Sequence, residues 1–392
     1  MRMIHTSDWH LGRAFHQVGL HGAQSAFLDS LVEVVRSESV DAVLVSGDVY
    51  DRALPAPDTV GLLSDAVERI IDAGAAVVLS SGNHDSAIRL GFASRLLERS
   101  GLHIRTSLDD IGRPVVVKGV AVHPLPYLEP SLTAGALGAS ERTHAGVLRA
   151  AMDRVRASLA ESAHERSVVM AHAFVTGGAT SESERDISVG GVAAVPPEVF
   201  DGVDYAALGH LHGRQEVAEG VRYSGSPVAM SFSEACHTKG SWLVDLSTDE
   251  PCVEFVAAPV ERPMALLSGT LEDLLSDRRH DAAEGAWCQV TLTDPVRPLG
   301  AMERLRVRFP HTLDLRFAPT GAVTTMSAYA ASLTERSDLS VCCDFLTHVR
   351  GGHGADDAER ALLEEAVEGA RLRRSAADGE TGSTTSRRSG AA

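Results

Sequence analysis

The chain has 392 residues, of which 44% are hydrophobic and 23% are charged, a composition typical of a globular protein with one large or two moderate domains. Its 36 Lys and Arg against 53 Asp and Glu give a net charge of −17, which argues against a broadly basic nucleic-acid binder, although bound divalent cations can supply local positive charge. The sequence lacks a membrane-length apolar run, a signal-peptide pattern and any CxxC spacing among its five cysteines, so we expect a chain without disulfides or thiolate zinc in a reducing, cytoplasmic environment.

The first half of the chain alternates short apolar runs with amphipathic stretches. This alternation predicts an α/β fold around a largely parallel sheet. Apolar residues at helical spacing predict helices over residues 23–38, 57–73 and 145–161, and a short helix over 92–99. Five short apolar runs predict buried strands, at residues 3–4, 42–45, 76–79, 168–170 and 205–208.

The pattern changes after about residue 221. Short alternating strands then dominate, with two helical stretches between them. The predicted strands cover 241–246, 253–257, 288–292 and 312–317, and the predicted helices cover 270–275 and 298–309. We therefore predict four parts, namely a first domain over 1–258, a small α+β domain over 259–343, a C-terminal helical segment over 344–372 and a disordered tail over 373–392.

Each of the five predicted buried strands is followed by residues of metal-ligand type. Ligand sites of open α/β sheets lie at the carboxyl ends of the strands, so these residues are expected to meet. Taken singly, each is more often a turn, cap or satisfied polar residue; the joint pattern favours a metal site. Oxygen and imidazole donors without cysteine indicate a two-metal hydrolytic site, in which Asp48 can bridge both ions. The candidate ligands are Asp8, His10, Asp48, Asn83, His172, His210 and His212.

Two further groups of residues are candidates for the chemistry. His84 stands beside the predicted metal site and could protonate a leaving oxygen, with Asp85 holding its imidazole; the alternative is a further ligand or a structural hydrogen bonder. Tyr223, Ser224 and Ser226 lie in a short segment that could contact phosphate or DNA. An ordinary strand-to-turn segment is an equally good interpretation of these three residues.

The motifs D-x-H, G-D, G-N-H-D, H and G-H-x-H resemble the pattern of the calcineurin-like metallophosphoesterase superfamily. Longer matches resemble one family within it, the SbcD nuclease subunits of bacterial SbcC–SbcD complexes. The resemblance extends from Met1 to about Leu246 and is looser beyond. It is carried by His5-Thr6-Ser7-Asp8-Trp9-His10-Leu11-Gly12, Ser46-Gly47-Asp48-Val49-Tyr50-Asp51, Ser81-Gly82-Asn83-His84-Asp85-Ser86, Ser183-Glu184-Arg185 before Val189-Gly190-Gly191, Tyr223-Ser224-Gly225-Ser226-Pro227 and Ser231-Phe232-Ser233-Glu234.

This resemblance implies a layered β-sandwich flanked by helices, with a smaller α+β capping domain that binds DNA. It implies two Mn²⁺ ions, with His84 as the acid that contacts phosphate. It also implies exonuclease and endonuclease activity on DNA ends and hairpins in repair and recombination. The implied ligand sets are Asp8, His10, Asp48 and His212 for one ion and Asp48, Asn83, His172 and His210 for the other.

The resemblance further implies partners. A homodimer within a heterotetramer is expected, with an SbcC-like ATPase docked on the C-terminal segment. The apolar stripe of residues 356–372 is a candidate docking element, and packing of this helix on its own capping domain is the alternative. The chain lacks a P-loop and should not hydrolyse ATP. Two competing hypotheses remain, a dimetal phosphatase or cyclic-nucleotide phosphodiesterase and a non-catalytic DNA-end tether.

Overall fold

The computed structural model describes residues 1–161, 164, 166–185, 187, 194–248, 250–320 and 337–380, with side chains of the last helix up to residue 370. The chain divides into two compact units, Met1–Ala265 and Leu266–Ala392. The motif Val189-Gly190-Gly191 lies outside the described residues. Among the residues that are described, no helix is both long and apolar enough to cross a membrane.

The first unit contains a sheet whose core is parallel. Strands β1 (Arg2–Thr6), β4 (Ala42–Ser46), β5 (Ala76–Ser80) and β6 (Leu102–Arg105) run parallel as neighbours. On the other side of β1, two antiparallel strands complete the order β14-β13-β1-β4-β5-β6. These two strands are β13 (Gly240–Asp245) and β14 (Cys252–Ala257), while β2 (Ala14–Phe15) and β3 (Val18–Gly19) form a separate small hairpin.

A second six-stranded sheet lies in the same unit, in the order β11-β12-β10-β9-β8-β7. Its central strands β8, β9, β10 and β12 are parallel, and β7 and β11 are antiparallel edges. A parallel core with antiparallel edges is common in large α/β sheets. The bounds are β7 (Val115–Val117), β8 (Val120–Pro124), β9 (Arg166–His172), β10 (Tyr205–Gly209), β11 (Gln215–Ala218) and β12 (Val221–Tyr223).

The core explains why these strands are apolar on both faces. Along β9, Val168 and Met170 pack between the two sheets, while Val169 and Ala171 pack under helices, as the two-residue period of a strand requires. The two sheets therefore lie face to face, and helices cover the outer sides. This layered α/β fold is the predicted one. The helices of the unit are α1 (His21–Ser37), α2 (Pro57–Asp72), α3 (Ala87–Leu90), α4 (Ser94–Leu97), α5 (Pro130–Leu137) and α6 (His144–Glu161).

Short 3-10 turns connect several of these elements. They occur in both units, mostly one turn long. Their bounds are Glu98–Ser100, Leu108–Asp110, Pro197–Phe200, Phe232–Glu234 and Arg278–Ala283.

The second unit is smaller and mixes helices with a three-stranded sheet in the order β15-β16-β17. Its fully buried side chains include Leu274, Cys288, Val290, Leu305 and Phe309, contributed by strands and helices alike. The elements are β15 (Met264–Gly269), α7 (Leu271–Ser276), β16 (Trp287–Leu292), α8 (Ala301–Arg308) and β17 (Thr312–Phe317), with β16 and β17 parallel.

Two helices follow, α9 (Asp338–Val349) and α10 (Asp357–Glu380), which pack against each other. Helix α9 was not predicted, and α10 corrects the predicted tail, because residues 373–380 are helical. That stretch is rich in Ala and Arg, which favour helix. The rest of the predicted tail, residues 381–392, lies outside the described residues.

Candidate metal centre

Five loops at the carboxyl ends of strands meet at one edge of the two facing sheets. Asp8 and His10 follow β1, and Asp48 follows β4, its parallel neighbour. His172 is the last residue of β9, and His210 follows β10, which pairs with β9. Because the parallel strands of each sheet end on the same side, the topology alone brings these side chains together.

Asp48 lies at the centre of this cluster. One of its carboxylate oxygens, Oδ2, is 3.5 Å from His10 Nε2 and 3.4 Å from His172 Nε2. His172 Nε2 is in turn 2.9 Å from Asn83 Oδ1, and His10 Nε2 is 3.2 Å from His212 Nε2. Asp48 is therefore placed between two sets of donors, as the bridging role predicted from the sequence requires.

Asp8 and His210 close the cluster. The backbone N–H of His210 donates to both carboxylate oxygens of Asp8, each at 3.1 Å, and the His210 ring lies 5.3 Å from the ring of His172. The structure thus brings all seven candidate ligands into one largely buried pocket. Five of them, together with His84, form three overlapping groups that could hold metal ions, namely Asp8, His10 and His212; His10, Asp48 and His84; and Asp8, Asp48 and His172.

The backbone around these side chains is strained. Asp8, His10, Asp48 and His210 all have positive φ, at 52°, 43°, 48° and 105°. Non-glycine residues in this region cost about 1–3 kcal/mol each and cluster at functional sites. A fold optimised for stability alone would place glycine or asparagine at such positions, so the strain is consistent with a functional constraint.

Glycine is required where the loops approach each other. Gly47 has a φ of +84°, and a Cβ there would lie 2.4 Å from His172 Nδ1. A Cβ on Gly82 would lie 2.2 Å from Asp48 Oδ1, and one on Gly209 would overlap the carbonyl oxygen of Ser46. The glycines of the G-D, G-N-H-D and G-H-x-H motifs therefore allow the loops to pack closely.

The pKa values of the candidate ligands are shifted in different directions. Burial lowers the pKa of His210 to about 3, with the charge of His172 acting in the same direction, and burial also lowers the pKa of His10. Although burial opposes it, the charge of His172 holds the pKa of Asp48 well below its usual range. Although burial opposes it, the charge of Asp48 raises the pKa of His172 to about 9. Neutral imidazoles and ionised carboxylates are the forms that bind metals, so His172 must release its proton when a cation binds. These nitrogen and oxygen donors, with no thiolate among the seven, fit divalent ions such as Mn²⁺, Fe²⁺ or Zn²⁺.

His84 is held next to the cluster, but not by Asp85. Its Nδ1 lies 2.9 Å from the carbonyl oxygen of Asp51, and its ring contacts the ring of His10 edge-on at 4.6 Å. No hydrogen bond of the described residues joins Asp85 to the His84 ring, so the predicted contact between them is wrong. The reason is that the carboxylate of Asp85 turns back to accept the backbone N–H groups of Val49, Tyr50 and Gly82.

These three hydrogen bonds give Asp85 a different task. The bonds from Val49 and Tyr50 tie the loop after β4 to the loop after β5, so that Asp48 and Asn83 keep their relative positions, and the bond from Gly82 lies within the second loop. Burial and the nearby charge of Asp48 raise the pKa of Asp85 to about 7, and the three backbone donors oppose this rise. The role of Asp85 is therefore to position the ligand loops.

The predicted phosphate contact of Tyr223, Ser224 and Ser226 is also corrected. All three side chains are buried, and their hydroxyl groups are bound internally. Tyr223 donates to the carbonyl of Ala173 at 2.7 Å, Ser224 pairs with Ser7 at 2.8 Å, and Ser226 donates to the carbonyl of Val228 at 2.9 Å. The alternative interpretation, an ordinary strand-to-turn segment, describes this part of the chain.

The polar groups that surround the candidate ligands were not predicted from the sequence. Gln24 of α1 donates to the carbonyl of His10 at 2.7 Å, and Glu184 accepts the backbone N–H of His212 at 2.8 Å. Ser183 and Glu234 lie behind the His212 ring. The last three residues belong to motifs that carried the family resemblance, and this was the available signal; Gln24 gave none.

Comparison with known proteins agrees with this architecture. Residues 1–214 match the family described as calcineurin-like phosphoesterase, and residues 260–350 match the family described as type 5 capsule protein repressor C-terminal domain. The SbcD component of the nuclease SbcCD from Staphylococcus saprophyticus is 28% identical over 381 residues, which cover 93% of this chain and 99% of that protein.

Similarity to solved structures is weak. GAP50, described as the anchor in the inner membrane complex of Plasmodium, has a TM-score of 0.38 at 10% identity and covers 82% of this chain and 98% of its own. The β-glucosidase BglU of Micrococcus antarcticus has a TM-score of 0.22 at 12% identity, with 80% and 82% covered. Neither likeness carries an argument about fold or activity.

Proposed function

The chain belongs to the calcineurin-like phosphoesterase family and is a hydrolase that acts on ester bonds, and from this premise we propose that it is a metal-dependent nuclease that cleaves phosphodiester bonds in DNA. The observation that carries the proposal is the convergence of six other ligand-type side chains around Asp48. The similarity to a nuclease component over 99% of that protein's length supports DNA as the substrate.

Two divalent ions, Mn²⁺ in our proposal, would be held in this pocket. Asp8, His10, Asp48 and His212 would hold one ion, and Asp48, Asn83, His172 and His210 would hold the other. The contacts of Asp48 Oδ2 with His10 and His172 support its shared position. When bound, such a metal pair supplies a nucleophile from water at neutral pH and charge neutralisation at the phosphate.

His84 would be the acid that protonates the departing sugar oxygen. Its Nδ1 donates to the carbonyl of Asp51, which leaves Nε2 as the nitrogen that gives up a proton. The half-buried position of this ring at the edge of the cluster is consistent with access to a bound phosphate. Its backbone N–H donates to Asp48 Oδ1 at 2.8 Å, so the acid and the bridging carboxylate keep a fixed relationship.

We also propose the partners and the domain roles that the family resemblance implied. Residues 1–258 would form the nuclease domain, 259–343 a capping domain that contacts DNA, and 344–372 the docking segment for an SbcC-like ATPase. Phe345, Val349 and Leu362 of helices α9 and α10 are more than half exposed, and such apolar side chains are suited to a partner surface. The complex would process DNA ends and hairpins as an exonuclease and endonuclease in repair and recombination.

A homodimer would form through helices of the nuclease domain. Ile88, Phe92 and Leu96 follow one another at a spacing of four residues and are 89%, 80% and 74% exposed. Large apolar side chains exposed within one short segment are candidates for an association surface. We therefore place the dimer contact at the segment of α3 and α4.

A nuclease assay tests the proposal most simply. The full-length protein is incubated with a labelled DNA hairpin, with bis-p-nitrophenyl phosphate and with a cyclic nucleotide, in Mn²⁺ and in Mg²⁺, with and without an ATPase partner. Cleavage of the hairpin in Mn²⁺ supports a nuclease. Turnover of only the small esters would instead identify a phosphatase or phosphodiesterase, and DNA binding without any hydrolysis would identify a tether.

A further inference from the structure

The two ring nitrogens of His212 face different surroundings. Nε2 points to the candidate metal centre and lies 3.2 Å from His10 Nε2, while Nδ1 lies 2.6 Å from the hydroxyl oxygen of Ser183. An imidazole binds a metal through a lone pair, so the nitrogen that faces the centre must be free of hydrogen and the other must carry it. The hydrogen bond between His212 Nδ1 and Ser183 therefore determines which ring nitrogen carries the hydrogen.

Glu234 decides the direction of the hydrogen bond between Ser183 and His212. The hydroxyl of Ser183 donates to Glu234 Oε1, and a hydroxyl has only one hydrogen to give. Because that hydrogen is used on the carboxylate, the Ser183 oxygen must accept from His212 Nδ1. The chain Glu234–Ser183–His212 thus places the hydrogen on Nδ1 and leaves the lone pair on Nε2.

The carboxylate of Glu234 is held ionised by its surroundings. It is buried, forms a close ion pair with Lys239, and accepts from the Ser231 hydroxyl at 2.9 Å and from the backbone N–H of Met230 at 3.3 Å. An ionised carboxylate can only accept hydrogen bonds, so Glu234 cannot donate to Ser183 and reverse the direction of these hydrogen bonds. Lys239 also donates to the carbonyl of His212 at 2.8 Å, which fixes the backbone of the same residue.

This arrangement differs from that of His172, another candidate ligand. His172 Nδ1 lies 3.0 Å from the backbone carbonyl of Ser46, which fixes its tautomer without any side chain. Among the residues that the structure describes, side chains do this for His212, and they come from two distant segments, around Ser183 and around Glu234. A buried ion pair contributes little to stability, because desolvation offsets much of the attraction. The ion pair of Glu234 with Lys239 lies behind the candidate ligand His212, which indicates a role in orienting that residue.

We propose that Ser183 and Glu234 are positioning residues that fix the tautomer of His212 and thereby set the affinity of one metal ion. This inference rests on the proposed function, in which His212 is a ligand of the first ion only. Changing such second partners of a ligand histidine typically costs about 10- to 100-fold in metal affinity. The loss should affect the ion held by His212 and spare the ion held by His172 and His210.

The test measures Mn²⁺ binding to the full-length protein, both by electron paramagnetic resonance of the free Mn²⁺ and by calorimetry. In Ser183→Ala, one of two ions should bind about 10- to 100-fold more weakly, with the other unchanged. Ser183→Thr retains the hydroxyl and should restore the affinity. Glu234→Gln should weaken the same ion, because a neutral amide no longer draws the hydrogen of Ser183 away from Nδ1.

Ser167→Ala is the matched control. Ser167 is also buried and donates to a carboxylate, that of Asp204, at 3.0 Å. It stands at the opposite end of β9 from His172, roughly 16 Å away along the strand, so its loss should leave both affinities unchanged. The melting temperature of each metal-free variant reports folding, and if Ser183→Ala does not fold, Glu234→Gln decides.

The outcomes separate this inference from the proposed function. If His212→Ala loses one ion while folded Ser183→Ala and Glu234→Gln bind both ions like the wild type, the positioning role is wrong and the ligand assignment stands. If His212→Ala itself binds both ions normally, the ligand assignment is wrong. Equal weakening of both ions in Ser183→Ala also contradicts the proposal, because it indicates general loss of structure.

Discussion

Gly47 offers a sharp test of how the loops build the metal centre. In Gly47→Ala the residue must keep a φ of +84°, which costs roughly 1–2 kcal/mol for a residue with a Cβ. The new Cβ would also lie 2.4 Å from His172 Nδ1, and relief of such overpacking costs roughly 1–3 kcal/mol. His172 must then leave the Ser46 carbonyl that orients it. We therefore expect Gly47→Ala to lower the free energy of unfolding by about 2–5 kcal/mol and to bind one metal ion instead of two.

The control for this variant is Gly202→Ala. Gly202 has a similar φ of +92°, but a Cβ there meets no atom within 4 Å. It should therefore lose only the backbone contribution of roughly 1–2 kcal/mol and retain both ions. Urea unfolding of the metal-free proteins gives the free energies, and Mn²⁺ titration gives the ion count. If Gly47→Ala matches Gly202→Ala in stability and still binds two ions, the crowding argument is refuted.

Three further predictions concern other parts of the protein. His84→Ser should reduce hairpin cleavage by about 10²- to 10⁴-fold while metal content and DNA affinity stay unchanged, and normal cleavage would remove its assignment as the acid. Burial lowers the pKa of His5 to about 3, so neutral His5 stabilises the fold fully above pH 6.5 and progressively less as the pH falls. Between pH 7.5 and 5.5 the free energy of unfolding of the metal-free wild type should fall by about 1.4 kcal/mol more than that of His5→Gln. Urea unfolding that shows the same pH dependence in both proteins would contradict this. Phe92→Glu should weaken self-association by roughly 30-fold in sedimentation experiments, and an unchanged dimer would move the contact elsewhere.

The central cluster could be predicted because its signals are local. Each ligand follows an apolar run, and parallel strands end at a common edge, so convergence follows from topology without knowledge of distances. The same reasoning explains Gly47, because a side chain at this crossing of two loops would collide with His172. The bridging role proposed for Asp48 could be predicted from its two carboxylate oxygens and from its position directly after a central strand.

Other parts of the site depend on tertiary neighbours that no local pattern reveals. The hydroxyl of Ser226 is bound internally because Lys239 and the Val228 carbonyl fold around it. The side chain of Asp85 turns away from His84 because unpaired backbone N–H groups of a neighbouring loop attract it. Burial and side-chain direction of this kind appear only once the loops are assembled.

The missed helix α9 has a different explanation. Its apolar residues are interrupted by Cys, Thr and Ser, so the helical period is weak in the sequence. A helix start signal was nevertheless present, since Ser337 accepts a hydrogen bond from the backbone N–H of Ser340 as an N-cap residue does. The end of α10 was placed too early because charged, small residues resemble a disordered tail in composition.

The number of metal ions per chain tests the account most directly. Mn²⁺ titration followed by electron paramagnetic resonance should show two ions per wild-type chain, with spectral features of a coupled pair. Asp48→Asn should abolish that coupling and weaken both ions, because Asp48 Oδ2 lies within reach of both ligand sets. A single ion in the wild type, or an intact coupled pair in Asp48→Asn, would contradict a centre built around Asp48.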